Sequence, residues 1–294
     1  MRIGWFDRNI KWVFSLPVVL FVLVMMAFPI GYTIRMSFLD WNMSSVKPPE
    51  WIGFGNYMHL LSNERFWHTV QITVYFTLSA LVIETILGVV VALFFSRQFR
   101  GKNAAKTLLI LPMVATPVAI ALVWMLIFEP TIGLANIALK SVGLPPQVWL
   151  GLPSQVIPSL VLIDVWHATP MIAIIVIAGL TTLPADPYES ASIDGASAWQ
   201  KLIYITLPLI RPTILIAALL RLIELLKQFD IIYATTQGGP HYASETLNIY
   251  GYILAFQHFK LGAASSLIIL FFLLVLSLTI VVTWTRKRLG GDAA

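Results

Sequence analysis

The chain has no cysteine, which excludes disulfides, thiolate catalysis and cysteine-ligated metal. Charge is scarce as well: Asp, Glu, Lys and Arg make up 11% of the 294 residues, against 58% hydrophobic. Soluble globular domains carry roughly a quarter of their residues as charges, so that class is excluded. The single Gly-Lys pair, Gly101-Lys102, has Ser96 where a phosphate loop needs its first glycine. The chain is therefore not expected to bind ATP. HExxH and GxSxG are also missing, which removes zincin and nucleophile-elbow chemistry. No internal repeat of useful length is visible.

What is present is a series of long apolar runs. Residues 12–34 and 107–128 hold no Asp, Glu, Lys or Arg, and neither do 261–285. Residues 67–96 carry only Glu84 and His68, and 156–180 only Asp164 and His167. Residues 212–233 carry Arg221, Glu224, Lys227 and Asp230. Each run reaches the ~20 residues needed to cross a bilayer. The reading is an all-α polytopic membrane protein with six transmembrane helices, forming a single domain over 1–294 because the loops are short. The first run is longer than the apolar region of a signal peptide, so it is expected to stay as a membrane helix.

Orientation follows from lysine and arginine near the span ends. Arg2, Arg8 and Lys11 precede the first span, and Arg97, Arg100, Lys102 and Lys106 lie between the second and third. Lys201 and Arg211 sit between the fourth and fifth, and Arg286, Lys287 and Arg288 end the last. Both termini and the 186–208 loop are thus expected to be cytoplasmic. The formal charge of +5 is a topology signal and not a nucleic-acid patch. Trp41, Trp51, Phe54 and Tyr57 in the first outer loop suit a membrane–water interface.

The 186–208 loop is the most informative segment. Asp186 suits an N-cap, Pro187 the first helical position and Glu189 a capping box, so a short helix is predicted from Pro187. Asp194-Gly195 signals a reversal. Ser197 can then cap a second short helix through about Tyr204, with Leu207-Pro208 ending it. Glu189-Ser190-Ala191, then Gly195, then Ile205-Thr206-Leu207-Pro208 resembles the EAA loop of permease subunits of binding-protein-dependent ABC importers. Ser190 stands where that family usually has alanine.

Asp164-Val165-Trp166-His167-Ala168-Thr169-Pro170 and Thr236-Gln237-Gly238-Gly239-Pro240 extend the resemblance to carbohydrate permeases, the group importing maltose, related oligosaccharides and glycerol 3-phosphate. Gly53 to Tyr57 adds a little more. The resemblance implies a type I importer permease fold with cytoplasmic coupling helices, in a bacterial-type inner membrane. It implies as partners a second homologous permease, an ABC ATPase dimer and an extracytoplasmic solute-binding protein. ATP and magnesium would sit on the ATPase, with no cofactor on this chain. Glu189, Ser190, Ala191, Asp194, Gly195, Leu207 and Pro208 would form the ATPase-coupling segment, Glu189 as a charged anchor and Gly195 as the tight turn.

Charges inside a bilayer are costly and point to function or to pairing. On a helix Arg221, Glu224 and Gln228 fall within about 60° of arc, and Lys227 and Asp230 are read as extending that side. Two readings stay open. In one, Arg221, Glu224, Lys227 and Gln228 hydrogen-bond a solute. Residues just before the Gly-Gly-Pro segment do so in related sugar permeases, and Lys227 and Gln228 fall there. In the other, Arg221–Glu224 and Lys227–Asp230 cancel each other at i,i+3. For an anionic solute, Lys227 or Arg221 is the natural counter-charge. In the fourth span Trp166 can stack on a sugar ring, with Thr169 beside it, while His167 reads as a structural group. Glu84 is expected to be buried against another helix. The substrate-pathway set is therefore Trp166, Thr169, Arg221, Glu224, Lys227 and Gln228. The solute reads as a sugar or sugar derivative. The alternatives are another small polar solute, such as glycerol phosphate, a sulfonated sugar, a phosphonate or a polyamine, or a membrane-embedded enzyme built on Asp164 and His167.

Overall fold

The computed structural model describes residues 5–288. In chain order they form α1 (Trp5–Ser37), an antiparallel pair β1 (Leu39–Asp40) and β2 (Glu50–Trp51), α2 (Gly55–Leu61), α3 (Glu64–Ser96), α4 (Lys102–Val114), α5 (Pro117–Ile127), α6 (Leu134–Ser141), α7 (Pro153–Thr181), α8 (Asp186–Ile193), α9 (Ala198–Lys201), α10 (Leu207–Leu226), α11 (Asp230–Thr236), α12 (Leu247–Tyr252) and α13 (Leu261–Arg288). Among the described residues, five helical stretches are long and apolar enough to cross a membrane. α4 and α5, bent by 99°, make a sixth if taken as one broken span.

That bend has a local cause. Pro117 cannot donate a backbone hydrogen bond, and its ring pushes the residue before it out of helical geometry. Ala115 and Thr116 accordingly take extended ψ values of 146° and 141°. The 107–128 run, continuous in sequence, is thus two helices.

The chain divides into two compact units. One comprises Met1–Glu64 and Gly251–Phe272. In it residues 14–32 of α1 are almost wholly apolar and exposed, as suits contact with lipid or another subunit. β1 pairs with β2 through Leu39↔Trp51 and Asp40↔Glu50. The loop aromatics cluster on Phe38, with ring centroids at 5.4 Å to Trp51, 5.3 Å to Phe54 and 5.8 Å to Tyr57. Asn56 Nδ2 donates to the carbonyls of Ser37 and Leu39 at 3.0 and 2.9 Å, which closes the turn out of α1.

The other unit comprises Arg65–Tyr250 and Leu273–Ala294. α7 is its central helix, packing against α10, α4 and α5. Ala92, Ile172, Val176, Ile210 and Ala217 form a buried core among α3, α7 and α10. Small residues let these helices approach closely, which in lipid is a main source of association. A Cβ placed on Gly88 would meet Ile172 Cγ2 at 2.6 Å, well inside van der Waals contact. Gly88→Ala is accordingly expected to destabilise the protein by about 1–3 kcal/mol. Thermal unfolding in detergent should show it, and Ile172→Ala should restore part of the loss. An unchanged melting temperature would refute the close α3–α7 approach.

Two sequence expectations shift here. The predicted stop at Leu207-Pro208 is not a stop: α9 runs through a π-helical turn at Leu202–Thr206 directly into α10. Pro208 lacks an N–H, and the wider turn accommodates it by re-pairing the neighbours, with Leu207 N donating to Leu202 O and Thr206 Oγ1 to Lys201 O at 3.2 Å. The fifth membrane helix therefore lies earlier than 212–233 and ends at Leu226. Lys227 caps it, and Asn248 Nδ2 donates to the freed Leu226 carbonyl at 2.9 Å. A carbonyl freed at membrane depth needs such a partner.

Candidate functional site

The coupling-type segment is a helix–turn–helix. α8 begins at Asp186, one residue before the predicted start, with Ala185 as its N-cap and no side-chain cap; Asp186 and Glu189 do not form the expected box. Its C-terminus is a Schellman motif. Ala196 N donates to Ala191 O at 2.8 Å and Gly195 N to Ser192 O at 3.2 Å. Gly195 adopts φ +77°, a left-handed conformation that favours glycine, although its Cβ position is open space. The requirement at Gly195 is thus conformational and not steric.

Ser197 then caps α9 as predicted, in a full capping box with Gln200. Two bonds tie the helices together: Lys201 Nζ donates to Ser192 Oγ at 2.7 Å, and Tyr188 Oη to Thr206 Oγ1 at 3.0 Å. Glu189, Ser190, Asp194 and Gly195 are exposed, while Ala191 is half-buried. Leu207 and Pro208 lie apart from them, in the first turn of α10. Ile193, Trp199 and Tyr204 present large apolar surfaces at 87%, 68% and 75% exposure. A cavity of about 910 Å³ opens beside them, bordered by Arg97, Leu180, Tyr188, Glu189, Trp199 and Lys201. A polar helical insert with exposed aromatics on a membrane protein has the character of a docking surface.

The second site lies within the helix bundle. Arg221 on α10 is buried, and its guanidinium is shared among three carboxylates. Nε donates to Glu84 Oε2 of α3 at 2.6 Å and Nη2 to Asp164 Oδ2 of α7 at 2.5 Å. Nη1 donates to Glu224 Oε2 at 3.1 Å, the i,i+3 pair foreseen from sequence. The partner of Glu84 is therefore Arg221. Asp164 uses its other oxygen to accept from Gln228 Nε2 at 2.9 Å. Glu84 and Asp164 are fully buried, whereas the Glu224 side chain is 48% exposed.

The remaining candidates are distributed around this cluster. Lys227 and Asp230 are both exposed, and among the described residues they form no ion pair with each other; the chain unwinds between them, so they share no helix face. Trp166 is 46% exposed and meets Trp124 edge-to-face at 5.7 Å. Thr169 Oγ1 and His167 Nδ1 are buried without a hydrogen-bond partner among the described residues. Asp164 is committed to Arg221 and Gln228, so it forms no acid–base dyad with His167.

Two features have no sequence signal. Asn248, which caps α10, is an ordinary polar residue in a loop helix. Arg65 makes a bidentate pair with fully buried Glu245 at 2.8 and 2.6 Å, its guanidinium stacked over Tyr242 at 4.0 Å. This pair ties the start of α3 to the segment following Gly238-Gly239-Pro240, a contact between residues far apart in the chain.

Comparison with known proteins places this architecture. Residues 84–291 match the family described as binding-protein-dependent transport system inner membrane component. The chain is 35% identical to the trehalose/maltose transport system permease protein MalF of Thermococcus litoralis, over 94% of this chain and 92% of that protein. It is 30% identical to the sulfoquinovosyl glycerol transport system permease protein SmoG of Agrobacterium fabrum, over 94% and 89%. A chain of the crystal structure of a bacterial ABC transporter involved in importing the acidic polysaccharide alginate superposes with a TM-score of 0.85 at 23% identity, covering 97% of this chain and 98% of that one. A polytopic helical chain without a phosphate loop, carrying an exposed helix–turn–helix between two membrane helices, thus belongs to the family of binding-protein-dependent transport system inner membrane components.

Proposed function

We propose that this chain is one permease subunit of an ATP-driven importer that receives a sugar from an extracytoplasmic binding protein and passes it across the inner membrane. The observation that carries this reading is the α8–α9 segment. It is an exposed, rigidly tied helix–turn–helix built on a left-handed Gly195 and continuous through the π-helical turn with membrane helix α10. A push on it moves α10, and with α10 the buried polar cluster. The two compact units work together as one transmembrane permease domain, with both termini and the α8–α9 segment cytoplasmic. ATP and magnesium belong to a partner ATPase dimer, and a second homologous permease completes the pathway. Glu189, Ser190, Ala191, Asp194 and Gly195 contact the ATPase, with Leu207 and Pro208 transmitting the motion.

Trp166, Thr169, Glu224, Lys227 and Gln228 line the solute pathway in this reading. Arg221 is displaced from it, because its donors are already committed to carboxylates, and it serves to hold the site together. A neutral sugar fits best, since the cluster has three carboxylates to one guanidinium. An anionic sugar derivative is a second reading, favoured by exposed Lys227 and by the sulfoquinovosyl glycerol relative.

The test is affinity purification in mild detergent, reconstitution of what is recovered into vesicles, and uptake of trehalose, maltose and a sulfonated glycoside. An ATPase and a second permease should co-purify, and uptake of a neutral disaccharide should require ATP. Recovery of the chain alone overturns the importer reading. Lys227→Met separates the two solute classes: it should reduce uptake of the sulfonated glycoside about two- to fivefold if the solute is anionic. It should leave neutral-sugar uptake nearly unchanged.

A further inference from the structure

Gln228 stands just beyond the C-cap of α10, half-buried, and its amide is held in one orientation by Asp164. Nε2 donates to Asp164 Oδ1 at 2.9 Å, while Asp164 Oδ2 takes Arg221 Nη2 at 2.5 Å. Arg221 is fixed in turn by Glu84 through Nε at 2.6 Å and Nη2 at 3.2 Å. A carboxylate paired with a guanidinium can only accept, so the amide nitrogen must face it. Gln228 Oε1, at the other end of the same planar amide, is thereby turned away from Asp164.

We propose that Asp164 is a positioning residue that sets the hydrogen-bond polarity of the solute site: through it, Gln228 presents a carbonyl acceptor and selects a solute hydroxyl as donor. Free glutamine has no such preference, since its amide rotates to offer either end. Here the choice is made by groups that are themselves fully buried, Glu84 and Asp164. The inference rests on the reading of Gln228 as a pathway residue.

Asp164→Asn inverts the arrangement by a chain of forced choices. Arg221 can only donate, so the oxygen of the substituted side chain must face it, and the new amide group must face Gln228. Gln228 then turns Oε1 toward that amide and points Nε2 into the pathway. The site changes from acceptor to donor with almost no change in shape.

The experiment uses the reconstituted assembly and ATP-dependent uptake of trehalose, maltose and their monodeoxyfluoro analogues. Fluorine accepts weakly and cannot donate. Gln228→Met identifies the position read by Gln228: the one at which the wild type discriminates hydroxyl from fluorine and the variant does not. At that position the wild type should prefer hydroxyl by roughly tenfold, the scale of one hydrogen bond. Asp164→Asn should lower that ratio, because the N–H then facing the solute can donate to hydroxyl oxygen and, weakly, to fluorine. A merely structural role for Asp164 would lower uptake of all analogues together. That outcome, with the wild-type ratio kept, overturns the inference while leaving the pathway reading intact. Equal discrimination in Gln228→Met and the wild type removes Gln228 from the pathway, and no wild-type uptake of either disaccharide sinks the neutral-disaccharide reading; both overturn the inference. If Asp164→Asn does not assemble, the wild type against Gln228→Met still decides: a wild type that takes fluorine as readily as hydroxyl at every position refutes a fixed acceptor.

Discussion

Gly195→Asp is expected to reduce solute uptake to background while membrane insertion, thermal stability and solute binding by the soluble receptor stay close to those of the wild type. Gly195 has φ +77° and no atom within 4 Å of its Cβ position. A side chain there meets no neighbour in the chain, so the fold bears only backbone strain, roughly 1 kcal/mol for a residue forced into the left-handed region. That is too little to unfold a protein. It acts, however, on the turn that holds α8 against α9, and it adds a carboxylate next to Asp194 on the exposed surface proposed above to meet the ATPase. Gly195→Ala isolates the backbone share and should show an intermediate loss. Uptake by vesicles, melting in detergent and co-purification of the ATPase separate the possibilities. Loss of insertion would make Gly195 a folding residue, and normal uptake in the aspartate variant would remove α8–α9 from the docking surface.

Arg221→Met is expected to cost about 3–5 kcal/mol of stability, the scale of breaking a buried ion pair by removing one partner. The guanidinium serves Glu84 and Asp164 at once, both fully buried. Removing it leaves two carboxylates without a counter-charge at membrane depth, where desolvation is most costly. Arg221→Lys should rescue little, since an ammonium is a point charge and does not reproduce the planar fork. The triple variant Glu84→Gln, Asp164→Asn, Arg221→Met should recover much of the loss, because the unpaired charges go with it. Melting curves in detergent test the series. An Arg221→Met protein that melts with the wild type would show that the cluster does not hold α3, α7 and α10 together.

How much of this is legible in the sequence depends on the range of the interaction. Glu84, Asp164 and Arg221 stand out because a charge within an apolar run is conspicuous wherever it lies. The Arg221–Glu224 pair is readable too, being about one helical turn apart. That Arg221 belongs to Glu84 is not, because 137 positions separate them and no periodicity links them. Pro208 misleads, since a proline reads as a helix stop, whereas a π-helical turn absorbs it and keeps α9 and α10 continuous. The break after Leu226 is hidden for the opposite reason. Local apolarity runs on to Tyr233, and the carbonyl freed at the break is satisfied by Asn248, reaching back from a later segment.

The sequence by itself determined the class of molecule: the apolar runs, the cost of charge in lipid and the Gly195 turn are local properties, and they settle a helical membrane protein, the helix–turn–helix and the family resemblance, though not the bounds of every span. The tertiary structure alone decided which charges neutralise one another and which polar groups stay exposed. The reason is physical: burial and pairing depend on which helices lie side by side, and a guanidinium committed to three carboxylates is a structural element, whereas the same residue unpaired would be a binding site.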